Sequence, residues 1–592
     1  MKKFLLGNEA IAFGAMESNI QVATGYPGTP SSEIIETIAR FSEGDIHIEW
    51  SVNEKVAVEV AIGAAYAGVR SLATMKHVGV NVALDPIMTS AYTGTVGGLV
   101  IVSADDPGMH SSQNEQDNRI IAKFAKIFCL EPFDAKSCKE FTKEAFEISE
   151  KFQIPVMLRT TTRVSHAKGV VEIGRYKIYP RKAKFIKNPE KFVVLPRNAR
   201  KLHRLLNEKL SEMEEYSNNS KLNSMHLRGE IGVITSGVSR TYVREVIEEI
   251  GDISILEIGV SHPLPTKLIQ KFIDHCDKIL IVEELEPYIE EHIKTFCNKE
   301  IYGKDLIPRE GELNIDIVKN AIYSIIDKKY EKKTRKIEIS LPPRPPILCA
   351  GCPHRALFYA LKKVTKEKIH CGDIGCYTLG IEQKTIDTCL CMGASITKAA
   401  GIFHAKVKEK AISIIGDSTF FHSGITGLLN AVYNKADITV IILDNRTTAM
   451  TGHQPHPGVG VTATFEESTR VDIEKICRAC GVKFVKKVDP FDLERTTKIL
   501  KEAINFDGVS VVISDQPCAL IARKKGLWKN PYYVDKDRCK GWLCQECRAC
   551  IALLGCPAIV WEKGKAKIIE EICSGCGVCA QICPNDAIKV RE

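Results

Sequence analysis

No apolar run in this chain approaches the eighteen or so residues that a membrane-spanning helix needs, so a spanning segment is not expected. A secretory leader is not expected either. The start, MKKFLLGNEAIAFGAM, is interrupted by Glu9, and no convincing small-residue cleavage site follows it. A one-sided charge is also missing. The net charge of +8 over 592 residues is mild and its basic residues are dispersed, which argues against nucleic-acid binding. One short basic stretch, Arg523, Lys524, Lys525 and Lys529, is a place where an acidic carrier could dock. Apart from one doubled cysteine motif there is no internal repeat, which removes solenoid and propeller architectures. What remains is 44% hydrophobic, ample for several buried cores at the usual 100–200 residues per domain.

Cysteine is abundant. Of 22 cysteines, nine fall within 539–583, a distribution unlike that of a secreted disulfide scaffold and suited to a reducing cytoplasm with metal clusters. Cys544, Cys547 and Cys550 stand at C-x-x-C-x-x-C spacing, with Cys556-Pro557 behind them. Cys573, Cys576 and Cys579 repeat the spacing, followed by Cys583-Pro584. Three thiolates on one tight loop can hold three irons of a cubane, and the cysteine before proline crosses to the other cluster. Zinc usually takes its ligands in pairs, often with histidine. Here they come in threes, and 539–592 contains no histidine. Two 4Fe-4S clusters are therefore expected, in a ferredoxin-like segment at 530–592. The five-residue gap between Cys550 and Cys556 requires a bulge, and Cys539 is a spare thiol.

Upstream, β-branched runs at 98–104, 154–160, 231–237, 253–260, 278–284, 411–417, 437–445 and 508–515 alternate with helical patterns. Such runs imply parallel sheets buried on both faces. Polar linkers are expected at 211–229 and 327–346. The chain thus divides into α/β domains at roughly 1–200, 228–330 and 345–520. Two strands of the last end at Gly416-Asp417 and Asp444-Asn445. A carboxylate and an amide at carboxyl strand ends can hold Mg²⁺ on a diphosphate, with Gly416 admitting the phosphate and a helix after residue 420 offering its N-terminus.

This pair resembles the thiamine diphosphate motif, with Ser418 in place of its third-position glycine. Met392-Gly393 resembles the apolar wedge that bends the cofactor, with Gly401 at the repeated glycine; an ordinary packed methionine is the alternative. Glu54 opens an Ala/Gly-rich helix nine residues before Gly63. In thiamine enzymes a glutamate there bonds N1′ of the pyrimidine and drives the imino tautomer that removes the C2 proton. A charge complementing the helix dipole is the alternative.

With GYPGTPSSE (25–33), CAGCPHR (349–355), GDIGCYTLG (372–380) and DNRTTAMTGHQPHPG (444–458), the chain resembles the 2-oxoacid:ferredoxin oxidoreductases along essentially its whole length. Within them it is similar to the large (alpha) subunits of the indolepyruvate ferredoxin oxidoreductases. That resemblance implies a multidomain thiamine-enzyme fold: a pyrimidine-binding domain at 1–200, a transketolase-C-like domain at 228–330, a diphosphate-binding domain at 345–520 and the two-cluster tail. It implies Thr29 near the substrate carbonyl, with helix capping as the alternative, and Asp417, Asn445 and the Thr447 carbonyl around Mg²⁺. It further implies oxidative decarboxylation of aryl pyruvates with coenzyme A, electrons leaving through the clusters to ferredoxin. The partners would be a smaller beta subunit and a second alpha chain, in an alpha2beta2-type assembly. Whether Cys349, Cys352, Cys376 and Cys518 hold a third 4Fe-4S cluster stays open, as does lining or core for His354; Cys477 and Cys480 read as core thiols. Another 2-oxoacid:ferredoxin oxidoreductase specificity, a non-oxidative thiamine decarboxylase or carboligase, and a non-catalytic electron-transfer module are the competing functions.

Overall fold

The computed structural model describes all residues except 44–45, 175, 177–178, 180, 331–338, 340, 343, 366–367, 545–548 and 592. The chain forms two units, Met1–Glu338 and Ile339–Glu592. Each of the eight β-branched runs contains a strand. No described helix is long and apolar enough to cross a membrane.

The first unit is built on a seven-stranded sheet ordered Val260–His262, Phe128–Leu130, Val156–Thr161, Leu99–Asp105, Ser71–Lys76, Val22–Gly25 and His47–Trp50. All neighbours run parallel except the first pair. A second, five-stranded sheet centres on Ile231–Ser236, flanked by Ser254–Ile258 and Lys278–Val282. The central strands are buried on both faces, as parallel sheets require. The opening segment is structural: Lys2–Leu6 pairs antiparallel with Lys168–Glu172, and the helix Gly7–Glu17 is largely buried.

The expected linker at 211–229 is not one. Helix Pro196–Asn218 runs through its first part, anchored by buried Leu202, Leu206 and Met213, and Ser224–His226 then forms an antiparallel edge strand. Sparse apolar residues at helical spacing were enough to dock it, because tertiary burial supplies most helix stability. The expected linker at 327–346 lies largely outside the described residues.

A buried ionic network joins the two sheets of this unit. Arg119 bonds Asp117 (2.5 Å), Glu283 (2.7 Å) and the Glu284 carbonyl (2.9 Å), while Arg159 holds Asp105 (2.6 Å) and Glu131. Burial opposes ionisation of Asp117, but the two guanidinium groups overcome it and hold that carboxyl at about 2. Among the described residues Glu284 has no such partner within ion-pair distance, and burial pushes its carboxyl up to about 7.

The second unit carries a five-stranded parallel sheet ordered Ile369–Cys371, Ala411–Gly416, Thr439–Asp444, Ser510–Asp515 and Phe484–Val488. Its cysteine-rich tail adds two antiparallel pairs, Tyr532–Val534 with Ile588–Val590 and Ile559–Glu562 with Lys565–Ile568. Cys477 is buried in the core and Cys480 half-buried beside it, as expected.

Two outcomes follow for the first unit. Because the Glu284 carboxyl binds its proton more tightly folded than unfolded, stability falls as pH rises from the usual value of 4.5 to 7. The loss amounts to about 3 kcal/mol, and Glu284→Gln should flatten that part of the melting-temperature profile. Arg119→Met strands two buried carboxylates and should cost about 3–5 kcal/mol, read by urea denaturation.

Candidate functional site

In the second unit, strands Ala411–Gly416 and Thr439–Asp444 are neighbours with Gly416 opposite Leu443, so Asp417 and Asn445 leave the sheet side by side. Asp417 is 2% exposed. Its Oδ1 accepts from Ser418 N (2.8 Å), and its Oδ2 accepts from Arg446 N (2.7 Å) and faces His456 Nε2 at 3.0 Å. Burial raises its pKa, but the charge on His456 and these donors prevail, leaving the carboxyl below its usual value. Asn445 Oδ1 accepts from Thr447 N (3.1 Å), and Asn445 Nδ2 meets His354 Nε2 at 3.2 Å. Burial holds the His354 ring at about 4, so it is neutral at physiological pH.

The local geometry departs from expectation in two places. The helix expected after residue 420 begins at Asp417 itself and passes through a wide turn at Phe420–Gly424 before Ile425–Tyr433. Gly416 has ordinary φ, −80°; the reason for glycine is the ring of Tyr377, whose Cε1 lies 2.6 Å from where a Cβ would stand. Gly393 is stricter. It takes φ +86°, and a Cβ there would meet Ser423 Oγ at 2.1 Å. Ser423 in turn donates to the Met392 carbonyl (2.9 Å), fixing the half-buried methionine at the head of helix Ala394–His404.

Asp373 escaped the sequence reading although its signal, a second Gly-Asp just after a strand, was visible. Its buried carboxylate accepts from Gly393 N (2.9 Å) and Ser395 N (3.1 Å), and burial pushes it up to about 6. His456 and Arg355 were likewise missed, because each matters only through a partner distant in the chain, Asp417 and the Leu554–Gly555 turn.

Four thiols lie near one another, and one of their residues, Cys518, donates its N–H to the Asn445 carbonyl (3.0 Å). Burial raises Cys349, Cys352 and Cys376, and each is raised further by others of the set, with Cys518 acting on both Cys349 and Cys376. Cys352 reaches about 12 and Cys376 about 11, so both stay protonated unless a metal displaces the proton. Cys518 Sγ also lies 3.7 Å from His453 Nε2.

The tail forms two small cavities. One is lined by Cys539, Cys544, Cys550 and Cys583; the other by Cys556, Cys573, Cys576 and Cys579. Each proline-linked cysteine has crossed to the other motif's cavity, as the two-cluster spacing rule requires. Cys547 lies outside the described residues. The thiols line spaces rather than closing on a point. Among the described residues no three His, Cys, Asp or Glu side chains are placed to share a single ion. Gly351, inside C-A-G-C, lines the second cavity, and Arg355 Nη1 donates to the carbonyls of Leu554 (2.9 Å) and Gly555 (2.5 Å), next to Cys556.

In the first unit, Thr29, Glu54 and Gly79 follow the carboxyl ends of three adjacent strands. Glu54 is buried at the start of helix Glu54–Tyr66, behind the N-cap Asn53, whose side chain accepts from Val56 N (2.9 Å). Its Oε1 would lie 2.7 Å from a Cβ at Gly79, so this glycine makes room for it. Burial lowers the pKa of the Lys76 ammonium, opposed by the nearby charges of Asp106 and Glu54. Thr29 does not cap the following helix; Ser31 stands at the cap, and the Thr29 carbonyl accepts from Ser111 Oγ (3.3 Å).

Comparison with known proteins agrees with this geometry. Residues 13–222 match the family pyruvate flavodoxin/ferredoxin oxidoreductase, thiamine diP-binding; 373–514 match the C-terminal TPP-binding domain of thiamine pyrophosphate enzymes; and 566–589 match the 4Fe-4S binding domain. Indolepyruvate oxidoreductase subunit IorA of Archaeoglobus fulgidus is 46% identical over 99% of this chain and 97% of its own. The protein of the same name from Thermococcus kodakarensis is 45% identical over 99% and 96%. A 2-oxoglutarate synthase subunit KorA from Methanothermobacter thermautotrophicus is 29% identical over 32% of this chain and 52% of its own.

Arg355→Met should detach the turn at 554–555 from the helix that starts at Pro353, removing the guanidinium donor from the buried Leu554 carbonyl and the exposed Gly555 carbonyl. The measurable result is faster anaerobic loss of iron from the tail and a lower melting temperature, with partial recovery in Arg355→Lys.

Proposed function

The chain belongs to the large-subunit family of the indolepyruvate oxidoreductases, and from that premise we propose how its residues perform ferredoxin-dependent oxidative decarboxylation of aryl pyruvates with coenzyme A. The observation that carries the reading is the adjacency of Asp417 and Asn445 to four thiols through two contacts, Asn445 Nδ2 to His354 Nε2 (3.2 Å) and Cys518 N–H to the Asn445 carbonyl (3.0 Å). Bound thiamine diphosphate supplies an acceptor for the electron pair left as CO₂ departs, and iron–sulfur clusters carry electrons away singly.

The residues fit both groups. Asp417 is a buried, ionised carboxylate, and Asn445 presents an amide oxygen at the neighbouring strand end; with the Thr447 carbonyl they would hold Mg²⁺ on the diphosphate. Met392, pinned by Ser423, would set the bend of the cofactor. Glu54 would hold its proton against the pyrimidine ring nitrogen, and Thr29 would face the substrate carbonyl. The domain at 1–200 would take the pyrimidine and that at 345–520 the diphosphate, with 228–330 as the transketolase-C-like domain.

Cys349, Cys352, Cys376 and Cys518 would hold a 4Fe-4S cluster nearest the cofactor, and the two tail cavities one each. Arg355, through the Leu554 and Gly555 carbonyls, and Gly351, in the wall of the Cys556 cavity, would link the Cys349–Cys352 turn to the tail along the route electrons would leave. A smaller beta subunit, a second alpha chain, ferredoxin as acceptor and a cytoplasmic setting complete the proposal.

The test is anaerobic co-expression with a beta-type partner, then dye reduction with aryl pyruvate, coenzyme A and a viologen. Reduction is expected only when thiamine diphosphate and Mg²⁺ are present; thiamine-independent reduction, or none, would sink the reading. Glu54→Gln should lower kcat by about 10²–10⁴ while leaving cluster spectra unchanged. Asp417→Asn should weaken Mg²⁺-dependent cofactor binding, followed by the fluorescence of the bound thiamine.

A further inference from the structure

In the first unit, strand Ser71–Lys76 runs parallel to Val22–Gly25 with Thr74 opposite Gly25, so Lys76 leaves the sheet beside the turn that carries Gly28 and Thr29. Its stem lies along that turn: a Cβ at Gly28 would stand 3.4 Å from Lys76 Cγ. Its side chain is half-buried, and Nζ donates to the Ser111 carbonyl (2.9 Å). Ser111 Oγ donates in turn to the Thr29 carbonyl (3.3 Å). Lys76 and Thr29 therefore meet on one residue of the loop 107–116.

An ammonium has three N–H donors. Among the described residues, the Ser111 carbonyl is the acceptor Lys76 reaches, and no carboxylate lies within ion-pair distance of it. The charges of Asp106 and Glu54 act on it only from farther off. Asp106 is otherwise engaged. Its Oδ2 accepts from Ser111 N (2.9 Å) and Ser112 Oγ (2.6 Å), and its Oδ1 accepts from Thr162 Oγ1 (2.7 Å). An ammonium drawn partly out of water without a counter-ion in contact carries a desolvation cost that an anionic ligand would offset. Nor does the loop depend on Lys76 for its place. The carbonyl and side-chain oxygens of Asn114 each lie 3.1 Å from His77 Nε2, and Glu115 accepts from Gly108 N and from Gly311 N (2.8 Å).

In a 2-oxo acid the carboxylate is bonded to the carbonyl carbon, so the group that receives it must stand beside the group that faces the carbonyl. We propose that Lys76 receives the carboxylate of the aryl 2-oxo acid. This rests on the reading that Thr29 and Glu54 border the substrate site, and it names the cation that the site presents. The two N–H groups not used on Ser111 supply the donors that a carboxylate takes. Attraction between ammonium and carboxylate acts on the bound acid and is gone once CO₂ has left. Lys76 thus serves binding and orientation rather than the bond-breaking itself.

The anaerobic holoprotein, co-expressed with its partner subunit, is titrated by calorimetry with two probes. One is a 3-arylpropionate, which carries the carboxylate but no keto group to react; the other is its primary amide. The unsubstituted protein should bind the acid about 10–100-fold more tightly than the amide, the range of one charged hydrogen bond. In Lys76→Met that preference should vanish through loss of acid affinity alone, with amide affinity and cluster spectra unchanged. Lys76→Gln keeps a donor for Ser111 without the charge and should behave the same way, so the test survives a methionine variant that fails to assemble. Under turnover both variants should show the loss in KM for aryl pyruvate rather than in kcat, with partial recovery in Lys76→Arg. An acid preference that persists in the neutral variants, or is missing from the unsubstituted protein, overturns the proposal. Equal weakening of acid and amide overturns it too, since Lys76 would then be a brace for the loop. Thiamine-independent dye reduction, or none, by the unsubstituted protein would instead sink the assignment of the site, a separately visible failure.

Discussion

Two consecutive side chains at the start of helix Pro353–Val364 hold the second unit together as a functional object. His354 reaches Asn445 at the strand ends, while Arg355 reaches the carbonyls of Leu554 and Gly555 in the tail. Adjacent residues on a helix point about a quarter-turn apart, so one rigid element serves two sites without a flexible relay. The burial of both side chains makes these contacts consequential. A buried guanidinium or imidazole without its partners would carry its desolvation cost uncompensated. The Cys352 thiol one residue earlier inherits the same rigidity, and electron transfer between closely held centres depends on such fixed separations.

The first unit meets a related constraint by different means. Its two sheets are joined by arginines and carboxylates almost fully removed from water. Such networks contribute little net stability against well-packed apolar alternatives, and their better-attested role is register. Here Arg119 joins Asp117, at the head of one helix, to Glu283, just past the strand Lys278–Val282 of the other sheet. That fixes the carboxyl end of the seven-stranded sheet, where Thr29, Glu54 and Lys76 emerge. Burial pushes both carboxyls up, and the pKa contrast inside the network follows from what offsets it. Asp117, between two guanidinium groups, ionises readily; Glu284, with a single backbone donor, does not.

The strands were readable because β-branched runs of seven to nine residues buried on both faces have few other stable fates. Gly416-Asp417 and Asp444-Asn445 were readable for the same reason, since parallel neighbours necessarily deliver their carboxyl ends to one edge. The helix across 211–218 was not, because its few apolar residues matter only once a partner surface exists. Nor was the requirement for glycine at 416, which depends on a tyrosine 39 residues earlier in the chain.

By itself the sequence determined the chemistry on offer: parallel α/β sheets, a carboxylate and an amide at strand ends, and cysteines grouped for iron. Tertiary structure alone decided which thiols share a space. Spacing is a property of one segment, so it pointed to Cys544 as the opening member of the first triplet. Cavity membership depends on how two strand-bounded halves pair, and that pairing brings Cys583 and the spare Cys539 into the wall alongside Cys544 and Cys550.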